Sequence, residues 1–296
     1  MTESRRLALR TTVASSVVAA ALAVVALRPY HPPPPLDQRA VRDLHLQILE
    51  CGYGEIRDVA AFSSGFDRGV SHAFVDPCYL IRHPRGTLVW DAGLPDSLVR
   101  MPDGWAPGAG NVRFRVKRTL ASQLAEIGFR PSDATYLALS HMHYDHVGNA
   151  HLFAGSTLLM QEAEHRAAFS DSALAAPSAR SYERLRSSKT ILLNGTHDVF
   201  GDGSVVIMSA PGHTPGHQVL FVRLPKTGPV LLSGDLYHFA KNRRLRRMPL
   251  FNFDREMTLR SMDRIEASLA RTGAALWIQH DAEQNATLPR APASVR

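Results

Sequence analysis

The sequence predicts an α/β domain in which helices cover layers of β-sheet. Short apolar runs of the kind found in strands alternate along the chain with helical periodicity, in two β-rich parts and without an internal repeat. The chain has 296 residues, of which 45% are hydrophobic and 21% charged, so a large core can be buried. This composition excludes disordered, collagen-like and coiled-coil chains.

The first β-rich part begins with a predicted hairpin. Strands are expected over 72–82 and 87–91, around a turn at 83–86 that contains proline and glycine. Apolar residues recur at helical spacing over 117–127, and a glycine follows them, so a helix is expected there. A buried strand over 134–140 comes next and leads directly into a histidine-rich segment.

The second β-rich part is flanked by predicted helices. Its expected elements are a helix over 161–169, strands over 204–210, 218–224 and 230–233, an amphipathic helix over 255–271 and a strand over 275–279. Loops at strand ends can present side chains without disrupting a sheet. The residues that follow these strands are therefore the first candidates for function.

The N-terminal segment is expected to precede the folded domain. A basic start is followed by an uncharged apolar stretch over 11–27, which is typical of a secretory signal peptide. An uncleaved membrane anchor is the alternative, because the stretch is close to the ~20 residues that span a bilayer. Two adjacent arginines also resemble a twin-arginine export signal. We expect 1–28 to be a signal peptide or anchor, 29–40 a proline-rich linker and 41–296 the folded domain. The domain is expected to be exported to the periplasm or the medium, or to be anchored in the membrane so that it faces outside the cytoplasm.

The positive charge of the chain has two sources. The net charge of +7 includes a contribution from the basic start, and a second basic run lies over 241–247. That run is expected in a solvated loop, where it could also attract acidic small molecules or anionic lipid. It lacks the interleaved aromatic residues of single-strand nucleic-acid sites. We therefore expect no nucleic-acid partner. Membrane contact is expected only through an uncleaved anchor. The sequence leaves the oligomeric state open.

Cys51 and Cys78 are the two cysteines of the chain. In an oxidising compartment they could form a disulfide, whereas in the cytosol they would be two buried thiols. Neither lies in a Cys-x-x-Cys unit, which argues against a thiolate metal site.

Three imidazoles and a carboxylate lie within six residues directly after the strand predicted at 134–140. The segment is His141-Met142-His143-Tyr144-Asp145-His146, in a chain with 14 histidines. Imidazole is the commonest metal ligand in proteins. Residues i and i+2 after a strand can converge on one ion, while Asp145 and His146 lie further round the turn and can face a second. The segment therefore predicts a centre for two metal ions.

Three later strand ends supply further candidates for the same centre. His213 lies in the turn Pro211–His217, Asp235 follows the apolar run 230–232, and His280 follows the last predicted strand. A carboxylate beside a metal cluster can bridge two ions with its two oxygens. Each of these residues is a weak signal alone, and together with the first segment they form one pattern.

With these motifs the chain resembles the metallo-β-lactamase superfamily and, within it, the N-acyl homoserine lactonases. The resemblance runs from about Leu44 to the C-terminus. It includes Trp90-Asp91-Ala92-Gly93, HMHYDH (141–146), PGHTPGHQ (211–218), SGD (233–235) and QHDAEQ (279–284). It implies an αββα sandwich, in which two mixed β-sheets are flanked by helices and a dinuclear site lies at one edge, so that 41–296 is a hydrolase domain of this fold.

The resemblance also implies which residues hold the metals. His141, His143 and His213 correspond to the ligands of a first ion, Asp145, His146 and His280 to those of a second, and Asp235 to the bridging carboxylate. His217 is not a ligand in that pattern and is expected to support the site. Asp91 matches a buried aspartate that supports the ligand loop. Nitrogen and oxygen ligands without cysteine suit two Zn²⁺ ions per chain, and the same ligand types accept Mn²⁺, Fe²⁺ or Co²⁺.

Such a centre implies hydrolysis of an activated carbonyl. Hydroxide held between two ions would attack a lactone ring, with N-acyl homoserine lactones as the first candidate substrates and quorum quenching as the role. Asp145 would be both a ligand and the group that carries a proton to the leaving alkoxide. The lactonases usually have a tyrosine three residues after the bridging aspartate, where this chain has His238, with Tyr237 one place earlier. Adjacent side chains point to opposite faces, so either could assist at the carbonyl, or neither.

Two other functions share this ligand set. One is hydrolysis of thioesters, as in enzymes of the glyoxalase II type, and the other is metal binding without turnover on the same fold. A β-lactamase is disfavoured, because those enzymes lack a carboxylate at the position of Asp235. The expected partner is thus a small lactone or ester substrate.

Overall fold

The computed structural model describes residues 42–296. The expected leader (1–28), the expected linker (29–40) and residue 41, where the domain is expected to begin, lie outside the described residues, so these assignments stay predictions. No described helix is both long and apolar enough to span a membrane.

The first of two β-sheets contains seven strands. In chain order they are β1 (His45–Ile56), β2 (His72–His83), β3 (Gly86–Trp90), β4 (Val112–Arg115), β5 (Tyr136–Ala138), β6 (Thr157–Gln161) and β7 (Thr190–Leu193). Across the sheet the order is β4-β1-β2-β3-β5-β6-β7. The pairs among β1 to β4 are antiparallel, whereas β3, β5, β6 and β7 pair in parallel, so the sheet is mixed.

The second sheet contains five strands. They are β8 (His197–Asp198), β9 (Val205–Ser209), β10 (Gln218–Leu224), β11 (Gly228–Leu232) and β12 (Ala275–Trp277). Their order is β12-β11-β10-β9-β8, with β12 parallel to β11 and the other neighbours antiparallel. The α-helices are α1 (Leu120–Glu126), α2 (Tyr144–Val147), α3 (Glu162–Ala168), α4 (Asp171–Leu174), α5 (Ala240–Leu245), α6 (Arg255–Thr272) and α7 (Ala282–Ala286).

The core has three layers of apolar side chains. Between the sheets, residues such as Tyr79 and Trp90 of the first sheet share a cluster with Leu220 of the second. The outer face of the first sheet packs against α1, and the outer face of the second packs against α6, whose Ile265 is buried. Burying one such side chain contributes about 1.5–3 kcal/mol. Helices therefore cover both outer faces, and the predicted αββα sandwich is confirmed.

Several strands of the first sheet are not visible in the sequence patterns. β1 is buried along much of both faces, so apolar and polar residues do not alternate cleanly in it. β6 is a continuous apolar run of five residues, which periodicity cannot distinguish from a piece of helix. The predicted hairpin, by contrast, matches β2 and β3 to within one residue at each end.

A disulfide joins Cys51 of β1 to Cys78 of β2, and both cysteines are buried. The loop that follows β3 packs directly on it, since a side chain at Gly93 would collide with Cys51. The same loop is tied to the histidine segment, because the N–H of Ala92 donates to the backbone oxygen of His146 at 2.8 Å. The disulfide thus lies directly behind one of the loops that support the candidate site.

Candidate metal centre

The histidine segment and three later loops converge at one edge of the sandwich. His141 and His143 follow β5, His213 lies in the turn between β9 and β10, and Asp235 follows β11. One side-chain nitrogen or oxygen from each lies within 4.8 Å of those of the others. Nδ1 of His143 lies 2.9 Å from Nε2 of His141 and 3.0 Å from Nε2 of His213. These four residues form the first group.

Asp145, His146 and His280 form a second group whose atoms also lie within 4.8 Å of one another. Asp145 and His146 lie in the short helix α2, and His280 follows β12. The two oxygens of Asp145 each lie 4.0 Å from an imidazole, Oδ1 from Nε2 of His146 and Oδ2 from Nε2 of His280. The structure therefore brings together all seven residues expected as ligands, and their binding of metal stays a prediction.

Asp235, a member of the first group, lies between the imidazoles of the two groups. Its Oδ2 is 3.3 Å from Nε2 of His213 and 3.6 Å from Nε2 of His141, which are both in the first group. Its Oδ1 is 2.9 Å from Nε2 of His280 and 3.3 Å from Nε2 of His146, in the second. One oxygen thus faces each group, which is the arrangement that a bridging carboxylate requires.

The outward nitrogens of three imidazoles meet hydrogen-bond acceptors. Nδ1 of His146 lies 3.0 Å from Oδ2 of Asp91, Nδ1 of His213 lies 3.1 Å from Oδ1 of Asn252, and Nδ1 of His280 lies 2.8 Å from the backbone oxygen of Val75. An acceptor at Nδ1 keeps the proton on that nitrogen. The lone pair of Nε2 is then directed into the cluster, as metal-binding histidines require.

Buried polar atoms without hydrogen bonds test whether the residues fit metal ions. Nε2 of His146, Nε2 of His280 and Oδ1 of Asp235 are buried and make no hydrogen bond of acceptable geometry. Each such atom costs about 1–3 kcal/mol if nothing compensates for it. Three of them facing one another fit a cation, and the nitrogen and oxygen donor set is one that Zn²⁺ accepts.

The electrostatics differ between the members of the cluster. Burial lowers the pKa of His141 and of His143 well below the ordinary value, so both are neutral near pH 7. Burial opposes ionisation of Asp235, but the surrounding imidazoles, led by His280 and His238, hold the pKa of its carboxyl well below the ordinary value. The cluster therefore offers neutral imidazoles at His141 and His143 beside a carboxylate. Burial opposes the charge of His146 and of His280, but Asp235 raises the pKa of both rings above the ordinary value, which is the response of an imidazole to an adjacent carboxylate.

His217 supports the cluster from behind, as its position in the motif predicts. Its Nε2 accepts a hydrogen bond from the backbone N–H of Asp235 at 2.9 Å, and its Nδ1 lies 3.1 Å from the backbone oxygen of Ala210. Burial lowers the pKa of His217 to about 3, which keeps the ring neutral. Gly234 has a φ of 47°, and a Cβ there would lie 2.7 Å from Nε2 of His217. The contact therefore requires glycine before Asp235.

The structure separates the two candidates for assistance at the carbonyl. Nε2 of His238 lies 3.1 Å from Oδ2 of Asp235, so this ring faces the cluster. Tyr237 does not: its ring is buried under α6, and its hydroxyl donates to Oε1 of Glu266 at 2.8 Å. The expectation that Tyr237 could act at the site is therefore corrected, because this hydrogen bond and the apolar packing direct it to the opposite face.

A cavity of about 220 Å³ opens beside the cluster. It is lined by Phe62, His143, Tyr144, Asp145, Asp235, His238 and Phe251. The sequence patterns do not single out the three aromatic residues of this wall. Tyr144 lies inside the histidine segment and could have been noticed there. Phe62 ends a short 3-10 helix between β1 and β2, Phe251 lies between α5 and α6, and neither belongs to a motif.

Most of the basic run over 241–247 is paired locally. Lys241 and Arg247 contact Asp67, Arg243 contacts Glu266, and Arg246 contacts Asp263. Exposed pairs of this kind contribute little to stability. They do neutralise much of the charge of the run, which fits the interpretation as a solvated surface segment.

Comparisons with known proteins agree with this geometry. Residues 74–272 match the family model described as the Metallo-beta-lactamase superfamily. The N-acyl homoserine lactonase AttM of Rhizobium johnstonii is 30% identical over 259 residues, which cover 84% of this chain and 98% of that protein. An N-acyl homoserine lactonase of a Bacillus species is 31% identical over 217 residues, which cover 70% of this chain and 81% of that protein.

A similar solved structure is an N-acyl homoserine lactone hydrolase with the product N-hexanoyl-L-homoserine bound at its catalytic metal centre. It has a TM-score of 0.73 and 25% sequence identity, and the alignment covers 85% of this chain and 98% of that one. The shared fold thus extends over most of the described residues.

Proposed function

This chain belongs to the metallo-β-lactamase superfamily, and from that premise we propose that it is a two-metal hydrolase that opens lactone rings, N-acyl homoserine lactones first among them. The observation that carries the hydrolase is the position of Asp235, with one oxygen toward each group of imidazoles. The choice of a lactone is supported by relatives named N-acyl homoserine lactonase that are about 30% identical over most of the chain.

Two divalent ions, with Zn²⁺ as the best fit to the ligands, would lower the pKa of a water molecule between them and polarise the substrate carbonyl. The protein's part is to position and to move protons. Asp235 sets the distance between the two groups. Asp145 lies at the cavity wall, where its carboxylate can take a proton and return it to the alkoxide released when the ring C–O bond breaks. His238, on the same wall, can donate a hydrogen bond to the substrate.

The cavity matches a molecule with a polar head and an apolar tail. Asp145 and His238 lie on its wall together with Phe62, Tyr144 and Phe251. The ring of Phe251 is half exposed and contacts Phe62 edge to face, with centroids 5.3 Å apart. A lactone head could thus lie at the polar side while an acyl chain packs on the aromatic rings, which supports acylated lactones over small polar esters.

Metal analysis and a substrate series test the proposal. The purified protein is expected to contain about two metal ions per chain and to lose its activity when a chelator removes them. The metal-loaded protein should open N-acyl homoserine lactones of several chain lengths faster than it cleaves S-acyl glutathione. Faster thioester cleavage would favour the glyoxalase II type, and two bound metals without turnover of either class would favour a metal-binding protein. Protein without metal would contradict the whole assignment.

Replacing His238 separates its role from that of Tyr237. We expect His238→Phe, which keeps a ring but removes the donor, to lower kcat for a lactone about 100-fold, the scale found when one donor to a reacting oxygen is lost. Tyr237→Phe removes only the hydroxyl bonded to Glu266 and should leave kcat within about twofold. Steady-state kinetics of the two metal-loaded variants decide the matter. A larger loss in the tyrosine variant would reverse the two roles.

A further inference from the structure

Glu164 is a buried carboxylate that the proposed chemistry does not use. It lies in the first turn of α3 and is only 2% exposed. Its Oε1 accepts a hydrogen bond from the backbone N–H of Met142 at 2.9 Å. Its Oε2 accepts two more at 2.8 Å, from the hydroxyl of Thr214 and from the backbone N–H of Gly216.

These three contacts join two loops of the candidate site. Met142 lies between His141 and His143, and Thr214 follows His213 directly. The loops are about 70 residues apart in sequence, and they supply all three imidazoles of the first group. One carboxylate thus connects the backbone on both sides of the first metal position.

The loop that contains His213 packs tightly against the start of α3. A Cβ at Gly216 would collide with the backbone of Glu164, so the loop lies directly on the start of the helix. A carboxylate can accept all three hydrogen bonds without presenting a donor of its own. The amide of a glutamine at this position would place its NH₂ group against one of the two backbone N–H groups, so that two donors would face each other. The site is therefore specific for an acidic side chain.

We propose that Glu164 is a positioning residue for the first metal ion: it sets the separation of the loops that carry His141, His143 and His213. The inference rests on the proposed metal centre and adds a residue to it. Groups that orient metal ligands typically change metal affinity by 10–100-fold when they are replaced. The second group has no direct contact with Glu164 among the described hydrogen bonds, so its affinity should change little.

Glu164→Gln in the full chain tests the proposal. In a competition titration against a chromophoric zinc chelator, we expect the affinity of one of the two ions to fall about 10–100-fold and that of the other to change less than about threefold. The absorption spectrum of the Co²⁺-loaded variant should change as well, because it reports the ligand geometry. Glu162→Gln is the matched control: Glu162 lies in the same helix, is exposed, and its carboxylate pairs with Arg166. It should behave as the unmodified chain.

A second variant keeps the test decisive if Glu164→Gln does not fold by circular dichroism. Thr214→Val removes one of the three hydrogen bonds and leaves both backbone N–H groups paired, so a smaller loss at the same ion is expected. Unchanged affinities and an unchanged Co²⁺ spectrum in the folded variants would overturn the role of Glu164 and leave the metal centre standing. Two bound metals without lactone opening would overturn the proposed substrate alone, and a chain that binds no metal would overturn both.

Discussion

Asp235→Ala is expected to lower kcat/KM for a lactone by about 10⁴-fold, the scale of loss when a central catalytic group is removed. It should also reduce the bound metal from about two ions per chain to less than one. The reason is geometric, since the two oxygens of Asp235 lie 2.9–3.6 Å from four imidazoles in two groups. Without them the first group has no carboxylate and the second keeps only Asp145, so the imidazoles of the two groups are no longer held around a shared negative charge.

The measurements are metal content by elemental analysis, lactone kinetics, and the increase in Tm when Zn²⁺ is added. A ligand that binds only the folded state raises Tm, so the unmodified chain should show the increase and Asp235→Ala should show little of it. Asp171→Ala is the matched control, because Asp171 is an exposed aspartate in α4, in a helix that carries none of the seven expected ligands. Near-normal kinetics in Asp235→Ala with two bound metals would place the chemistry elsewhere.

Much of the site could be predicted because its strongest signal is local. His141 and His146 are the two ends of one six-residue segment, so spacing alone brings its side chains into one turn. Asp235 and His280 could be added because each follows a strand, and both strands, β11 and β12, are parallel neighbours that end at the same edge of the second sheet. Local spacing and strand ends are properties that a single sequence contains.

The sequence could not decide whether Tyr237 or His238 faces the site. Alternation predicts opposite faces for the two side chains, as the structure has them, but it does not say which face is toward the histidine cluster. That is decided by Glu266 of α6, which accepts the hydrogen bond of the Tyr237 hydroxyl from 29 residues further along the chain. A contact at this distance depends on how α6 packs on the second sheet, and no pattern near the motif reveals it.

The aromatic cavity wall and the contacts of Glu164 could not be predicted from the sequence for the same reason. Phe62 and Phe251 come from segments far apart in sequence and meet because both pack at this edge. Glu164 lies in a predicted helix, where a glutamate is ordinarily solvent-exposed. Only the fold shows that it is buried against two ligand loops.

Asp145→Asn is expected to lower kcat for a lactone by about 10³-fold while about two metals per chain stay bound. Asp145 has two roles in the proposal, and asparagine separates them. Its carbonyl oxygen can replace a carboxylate oxygen toward His146 and His280, from whose Nε2 atoms the Asp145 oxygens lie 4.0 Å. It cannot, however, accept a proton and return it to the leaving group. Metal content and steady-state kinetics of the purified variant measure the two effects separately.

A substrate with a different leaving group can show whether the Asp145→Asn variant has lost proton transfer or has only a changed metal-ligand geometry. A thiolate leaves without protonation far more readily than an alkoxide, since a thiol has a pKa of about 8.5. The Asp145→Asn variant should therefore lose at least about tenfold less activity on a thiolactone than on the lactone with the same acyl chain. Equal losses on both substrates would mean that Asp145 acts only as a ligand, and that the alkoxide receives its proton from another group on the cavity wall. His238 would then be the group to examine, because it lines the cavity and its Nε2 lies 3.1 Å from Oδ2 of Asp235.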